Sequence, residues 1–250
     1  MLRERRLHTA RAAAQLRAME LYDVNYHLAP GPAGEENPRR QDNWHLDTVR
    51  CLLPSESPGS PDPGGAWDIA CRLVHDYQFA DPRILRALYA REGRLLGRNM
   101  LLEGRFCGLR FDMPVRVTSV VDETRGTGQE AQRVWGWGYQ TLQGHLEEGA
   151  LVYEVIKHLH TGDVEFVIAG HSRRARIGNP VVALGFILFG RMTQQRFYRK
   201  SAHRLRHLVQ AELAGAAPLR VETLPGDTAL ALAPSRARDL VPRRPGEAGG

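Results

Sequence analysis

Between Asn99 and Arg173 the chain alternates apolar and polar residues with a period of two, the mark of half-buried strands. The pattern predicts strands over 99–111, 113–123, 131–142, 149–160 and 163–173, with Met113, Val115, Val117 and Val121 on one side of the second. The runs Arg125-Gly-Thr-Gly128 and His160-Thr-Gly-Asp163 read as hairpin turns, with glycine supplying positive φ. Upstream, residues 2–22 have high helix propensity, 29–40 read as a loop, and Trp44–Leu53 alternates like a strand. The Pro/Gly-rich stretch 55–65 is a connection. Helical spacing of Trp67, Ala70, Cys71 and Val74 predicts a helix over 66–77. Asp81-Pro82, as N-cap and first position, predicts a second one carrying Ile84, Leu85, Leu88 and Tyr89.

From Asn179-Pro180 the period becomes helical to about Leu213, with Leu184, Leu188, Gln195, Tyr198, Ala202, Leu205 and Val209 on one stripe. Residues 214–250 read mostly as disordered, with a weak strand available to 219–232. The predicted order is strand, two helices, a meander and one long helix. Such a sheet needs its apolar face covered, and the long helix can lie across it. The predicted class is therefore α+β, a curved antiparallel sheet wrapped around a C-terminal helix (a helix grip). The divisions are 1–42 for an N-terminal helix and loop, 43–213 for the grip, and 214–250 for the tail.

Within the meander, Trp135, Trp137, Tyr139 and Thr141 share one strand face and Gly136 and Gly138 the other. Glycines behind an aromatic face point to curvature or to a closely approaching neighbour. The aromatic row either lines a pocket or packs as core. The block Tyr139-Gln-Thr-Leu-Gln-Gly144-His145-Leu-Glu147-Glu-Gly149 resembles the hallmark of the family of domain of unknown function 1990, also called UPF0548. Gly162-Asp-Val164, Ser172-Arg173 and Phe189-Gly190-Arg191-x-x-Gln194-x-x-Phe197 fit the same family. The resemblance spans roughly 43–213. It implies kinship with the START/Bet v 1-like helix-grip proteins and hence a hydrophobic cavity with a small-molecule ligand. It supplies no activity. Gln140, Leu146 and Ala150-Leu151 depart from the family pattern, the last replacing an acidic pair.

These residues support two readings. In the leading one the domain binds a small hydrophobic or amphipathic ligand. Trp135, Trp137 and Tyr139 form the wall, and Arg173, Arg191 and Gln194 orient the ligand's polar end. In the alternative, His145, Glu147 and Tyr139 transfer protons on the same scaffold. Each feature also has a plain structural reading. His145 and Glu147 can cap a turn, Arg173 can pair with Glu147 or Glu165, and Arg191 and Gln194 can face solvent.

Composition narrows the partners. The net charge is +6, but only Lys157 and Lys200 are lysines and the arginines are scattered, so nucleic acid is a poor expectation. Cys51, Cys71 and Cys107 lack metal or disulfide spacing and fit free thiols in a reducing cytoplasm. His158-x-His160 is weak support for zinc. Neither metal nor cofactor is expected. No apolar run is long enough to span a membrane. Oligomeric state cannot be read from the residues.

Overall fold

The structure is a computed structural model that describes residues 7, 9–25, 45–106, 109–174, 180–224 and 226–235, with the backbone alone at 106, 109, 174 and 180–193. Helix α1 (Ala10–Ala18) runs into a 3₁₀ turn at Met19–Leu21. Strand β1 (His45–Leu52) and helix α2 (Ala66–His75) follow. Then come β2 (Leu85–Ala90), β3 (Asn99–Phe106), β4 (Leu109–Arg125), β5 (Gln132–Thr141), β6 (Glu147–His158) and β7 (Val164–Arg174). Helix α3 (Pro180–Leu213) precedes a final pair, β8 (Glu222–Leu224) and β9 (Asp227–Ala233).

One antiparallel sheet holds all nine strands in the order β1-β7-β6-β5-β4-β3-β2-β9-β8. Its inner face carries Val115, Val117, Trp137, Tyr139, Leu151, Tyr153, Val155, Phe166 and Ile168. These pack with Ile69, Leu73 and Val74 of α2 and with Phe197, Tyr198, Ala202, Leu205 and Val209 of α3 in one cluster. The α+β helix grip expected from the pattern is the fold. A smaller cluster lies on the outer face, where Leu16 and Met19 cover Leu88 and Leu101 together with Leu224, Leu230 and Leu232.

Two expectations are corrected. Leu85–Ala90 is a strand, not the body of a second helix. Asp81 does cap a turn, accepting the Arg83 amide on its side chain (2.9 Å) and the Ile84 and Leu85 amides on its carbonyl. That turn ends at once because residues 85–89 are buried on both faces between β3 and β9. With its one charged residue, Arg86, buried as well, the run carries no polar period to separate helix from strand. In β4 a register shift between Val117 and Ser119 inverts the alternation, so Val121 packs with Val134, Ile156 and Val167 on the outer face. In the tail, β8 and β9 join the main sheet through β2. Residues 236–250, like the loop expected at 29–40, lie outside the described residues.

The connection at 54–65 is held by a buried ion pair. Lys157 Nζ donates to Glu56 Oε2 (2.7 Å) and to the Ser60 carbonyl (2.9 Å), while Glu56 also accepts the Trp67 and Asp62 amides. Both partners are almost fully enclosed. Removing one leaves the other charge buried alone. Lys157→Met is therefore expected to cost about 3–5 kcal/mol of folding stability, measured by urea denaturation. A loss near zero would show the pair to be dispensable.

Candidate functional site

The interior between sheet and α3 has two chemically distinct ends. At the end formed by the middle of β5 and β6 it is a filled aromatic core. Trp137 and Tyr153 meet edge to face at 5.0 Å between ring centroids, Phe79 lies 4.6 Å from Tyr153, and Tyr77 lies 4.9 Å from Phe79. The Trp137 indole N–H donates to the Val74 carbonyl of α2 (3.2 Å), and its ring is 1% exposed. Trp137 is thus enclosed by protein on every side. Trp135 sits further from the polar end, half-buried beside His75. Of the aromatic row, Tyr139 alone reaches the second, polar end.

That second end is where the start of β6, the ends of β5 and β7 and the start of β1 come together. The Gln194 amide of α3 donates to the Ser172 hydroxyl of β7 (3.0 Å). One turn on, Tyr198 is buried, interacts with Gln194, and lies within electrostatic reach of Tyr139, Glu147 and Asp47. Parity explains the gathering. Odd residues of β5 and β6 and even residues of β7 face inward, so Tyr139, Glu147 and Ser172 share the face that α3 covers. Burial pushes the Tyr139 and Tyr198 phenols well above their ordinary range, which keeps them neutral donors. Deeper in, the Tyr77 and Tyr153 hydroxyls meet no partner in hydrogen-bond geometry among the described residues. They still lie close enough to each other, and Tyr153 to Tyr139, to perturb one another's ionisation.

The hallmark turn Thr141–Gly149 is a lock. The Thr141 hydroxyl accepts the Gly149 amide (2.9 Å) and donates to the Asn25 side chain (2.6 Å). Asn25 in turn donates to the Glu147 carbonyl (3.0 Å), tying the segment before β1 onto the turn. Gly149 is required here, because a Cβ would stand 2.2 Å from the His171 carbonyl. His145 completes the turn, its Nδ1 accepting the Glu147 amide (2.9 Å). Desolvation lowers its pKa to about 4, partly opposed by the Glu147 carbonyl, which also lies 2.9 Å from Nδ1 and can accept from the protonated ring. The ring is neutral at pH 7, and the nitrogen facing Glu147 is occupied.

The expected site residues therefore separate. Tyr139, Glu147 and Gln194 face the polar end. Arg173 does not. It stands on the outer face and pairs with its cross-strand neighbour Glu148 (2.7 Å), because odd residues of β7 point away from α3. The Arg191 side chain lies outside the described residues. His158 contacts Glu165 (3.2 Å) and Gln132 (3.4 Å), and no cluster of three metal-ligating side chains occurs among the described residues. Reading the sequence missed Ser172 as an anchor, Thr141 as the turn's lock, and Tyr77, Tyr153 and Tyr198. The inward parity of Tyr153 and the helical spacing of Tyr198 from Gln194 were the signals available.

The model of the family described as "Domain of unknown function (DUF1990)" matches residues 30–204, well over half of the chain. The chain belongs to this family. No curated protein matches it. Among solved structures it is similar to Ara h 8.0201 at 10% identity and a TM-score of 0.41, covering 67% of this chain and 99% of that one. A hypothetical protein of Helicobacter pylori, jhp0584, matches at 13% identity and 0.39, covering 74% and 98%. The major latex-like protein 151 of Panax ginseng matches at 14% and 0.34, covering 65% and 98%.

The lowered His145 pKa has a pH consequence of fixed sign. The unfolded ring binds its proton near pH 6.5 and the folded ring only near 4, so the unfolded state takes up the proton first as pH falls. The stability held by the neutral ring is complete above about pH 6.5 and is lost on descent to about pH 4. His145→Asn is expected to flatten the melting temperature across that window, measured by scanning calorimetry. An unchanged slope would show that other groups set it.

Proposed function

We propose that this domain holds a small hydrophobic or amphipathic molecule at the polar end of the space between the sheet and α3. One observation carries the reading. Gln194, Ser172, Tyr198, Tyr139 and Glu147 converge at one end of an otherwise apolar interior. A site of this kind, mostly greasy with a few convergent polar groups, is the usual chemistry of ligand recognition. Leu151 and the aromatic core supply the apolar floor, and the Gln194 amide with the neutral phenols fixes the ligand's polar atoms. The wall differs from the one drawn from the sequence, since Trp137 is a packing anchor and Arg173 faces outward. In the alternative reading, with Nδ1 of His145 held by the turn, Nε2 is the ring atom left for proton transfer beside Glu147 and Tyr139.

Native mass spectrometry of protein purified from its own host tests the proposal, with a co-purifying small molecule as the expected result. Gln194→Leu should reduce that molecule's occupancy severalfold while the melting temperature of the stripped protein stays near the wild-type value. A bare polypeptide mass, together with no thermal shift from any member of a panel of apolar compounds, would remove the ligand-binding reading. The aromatic core gives a contrasting variant. Trp137→Ala should cost about 3–5 kcal/mol of stability by chemical denaturation, as a core truncation does. A small cost would mean that open space already adjoins the indole.

A further inference from the structure

The face of α3 turned away from the sheet is basic and uncovered. Arg196, Arg199, Lys200, His203, Arg206 and His207 are all exposed. They recur at helical spacing over about 16 Å of axis, on the side opposite Phe197, Leu205 and Leu208. No aspartate or glutamate occurs between Met192 and Ala211. None of the six makes an ion pair among the described residues. Neighbouring cations that serve the fold behave differently. Arg204 donates to the carbonyls of Gln78 and Ser235, and Arg72 pairs with Glu212. The stripe therefore keeps its charge for a partner outside the fold.

The segment just beyond the stripe narrows the partner. The helix ends in Leu213-Ala-Gly-Ala-Ala-Pro218, a run without a charge or hydrogen-bonding side chain. Leu213 is 46% exposed, and every residue of the run but half-buried Ala216 is open to solvent. A further exposed arginine, Arg220, stands beyond it. An apolar tip between cations suits a lipid interface, where headgroups take the charge and the acyl boundary takes the tip. Nucleic-acid backbone offers the tip no such medium. The inner face of α3 is already committed to the core, so the helix would rest on the bilayer rather than sink into it. No helix among the described residues is long and apolar enough to cross one.

We propose that the exposed face of α3 and the 213–218 tip dock this protein on an anionic membrane surface. The inference goes beyond ligand binding and does not depend on it.

Co-sedimentation of the full chain with vesicles tests it. The wild type should bind phosphatidylcholine vesicles containing about a third phosphatidylserine, fail to bind pure phosphatidylcholine, and release at high salt. The triple variant Arg196→Glu, Arg199→Glu, Lys200→Glu should lose at least about a hundredfold in affinity, since each basic residue near the surface contributes about fivefold. Leu213→Asn should weaken vesicle binding severalfold and leave any binding to a short DNA duplex unchanged. Arg196→Lys with Arg199→Lys should retain vesicle binding, which separates loss of charge from loss of fold. Absence of vesicle binding overturns the proposal. So does retention by the triple variant, indifference of vesicle binding to Leu213→Asn, or tighter binding to the duplex than to anionic vesicles.

Discussion

Everything in this fold is built around the contact between α2 and the inner face of β5 and β6. Its centre is the single hydrogen bond from the Trp137 indole to the Val74 carbonyl, set within the rings of Tyr77, Phe79, Tyr153 and Phe166. The contact is demanding enough to hold Tyr77 at a φ of +57°, a left-handed backbone more usual for glycine just past a helix. The gain is that the end of α2 turns its own aromatic side chain into the core. Gly136 makes the complementary concession behind the sheet, where a Cβ would stand 2.2 Å from the Tyr153 carbonyl and push β5 off β6. That half of the interior is filled, and the polar side chains gather at the other end, where Gln194 meets Ser172.

How much of this could be read from the chain depends on periodicity. The meander and α3 were legible because each buries one face and exposes the other. The inward row of Trp135, Trp137 and Tyr139 and the outward glycines fell where alternation put them. The pattern failed where burial is two-sided, as in Leu85–Ala90, and where a bulge resets parity, as before Val121. Both failures are tertiary. Whether a strand will be covered on two faces is decided by distant elements, here the inner core around Leu85, Ala87 and Tyr89 and the outer cluster that sets Leu16 and Met19 over Leu88.

The candidate site was legible in part for the same reason. Tyr139 and Glu147 face the polar end as inward parity implies, whereas the helical stripe named Gln195, which is exposed, and its neighbour Gln194 is the one that meets Ser172. Arg173 was misplaced because its chemistry was weighed ahead of its parity, and the same parity count would have sent it outward to Glu148. His145 illustrates a different limit. A histidine in a glycine turn has the same sequence signature whether it handles protons or fastens a backbone, and the structure adds only that its Nδ1 fastens the backbone of Glu147.

Helix α1 and strands β8 and β9 lie outside the span matched by the family and yet share one outer cluster, with Leu16 and Met19 against Leu224, Leu230 and Leu232. Each flank therefore shields the other: α1 covers the apolar side of β8 and β9, while β9 closes the margin of β2 on which α1 also rests. Loss of either one bares leucines on the back of the sheet that the grip itself cannot hide.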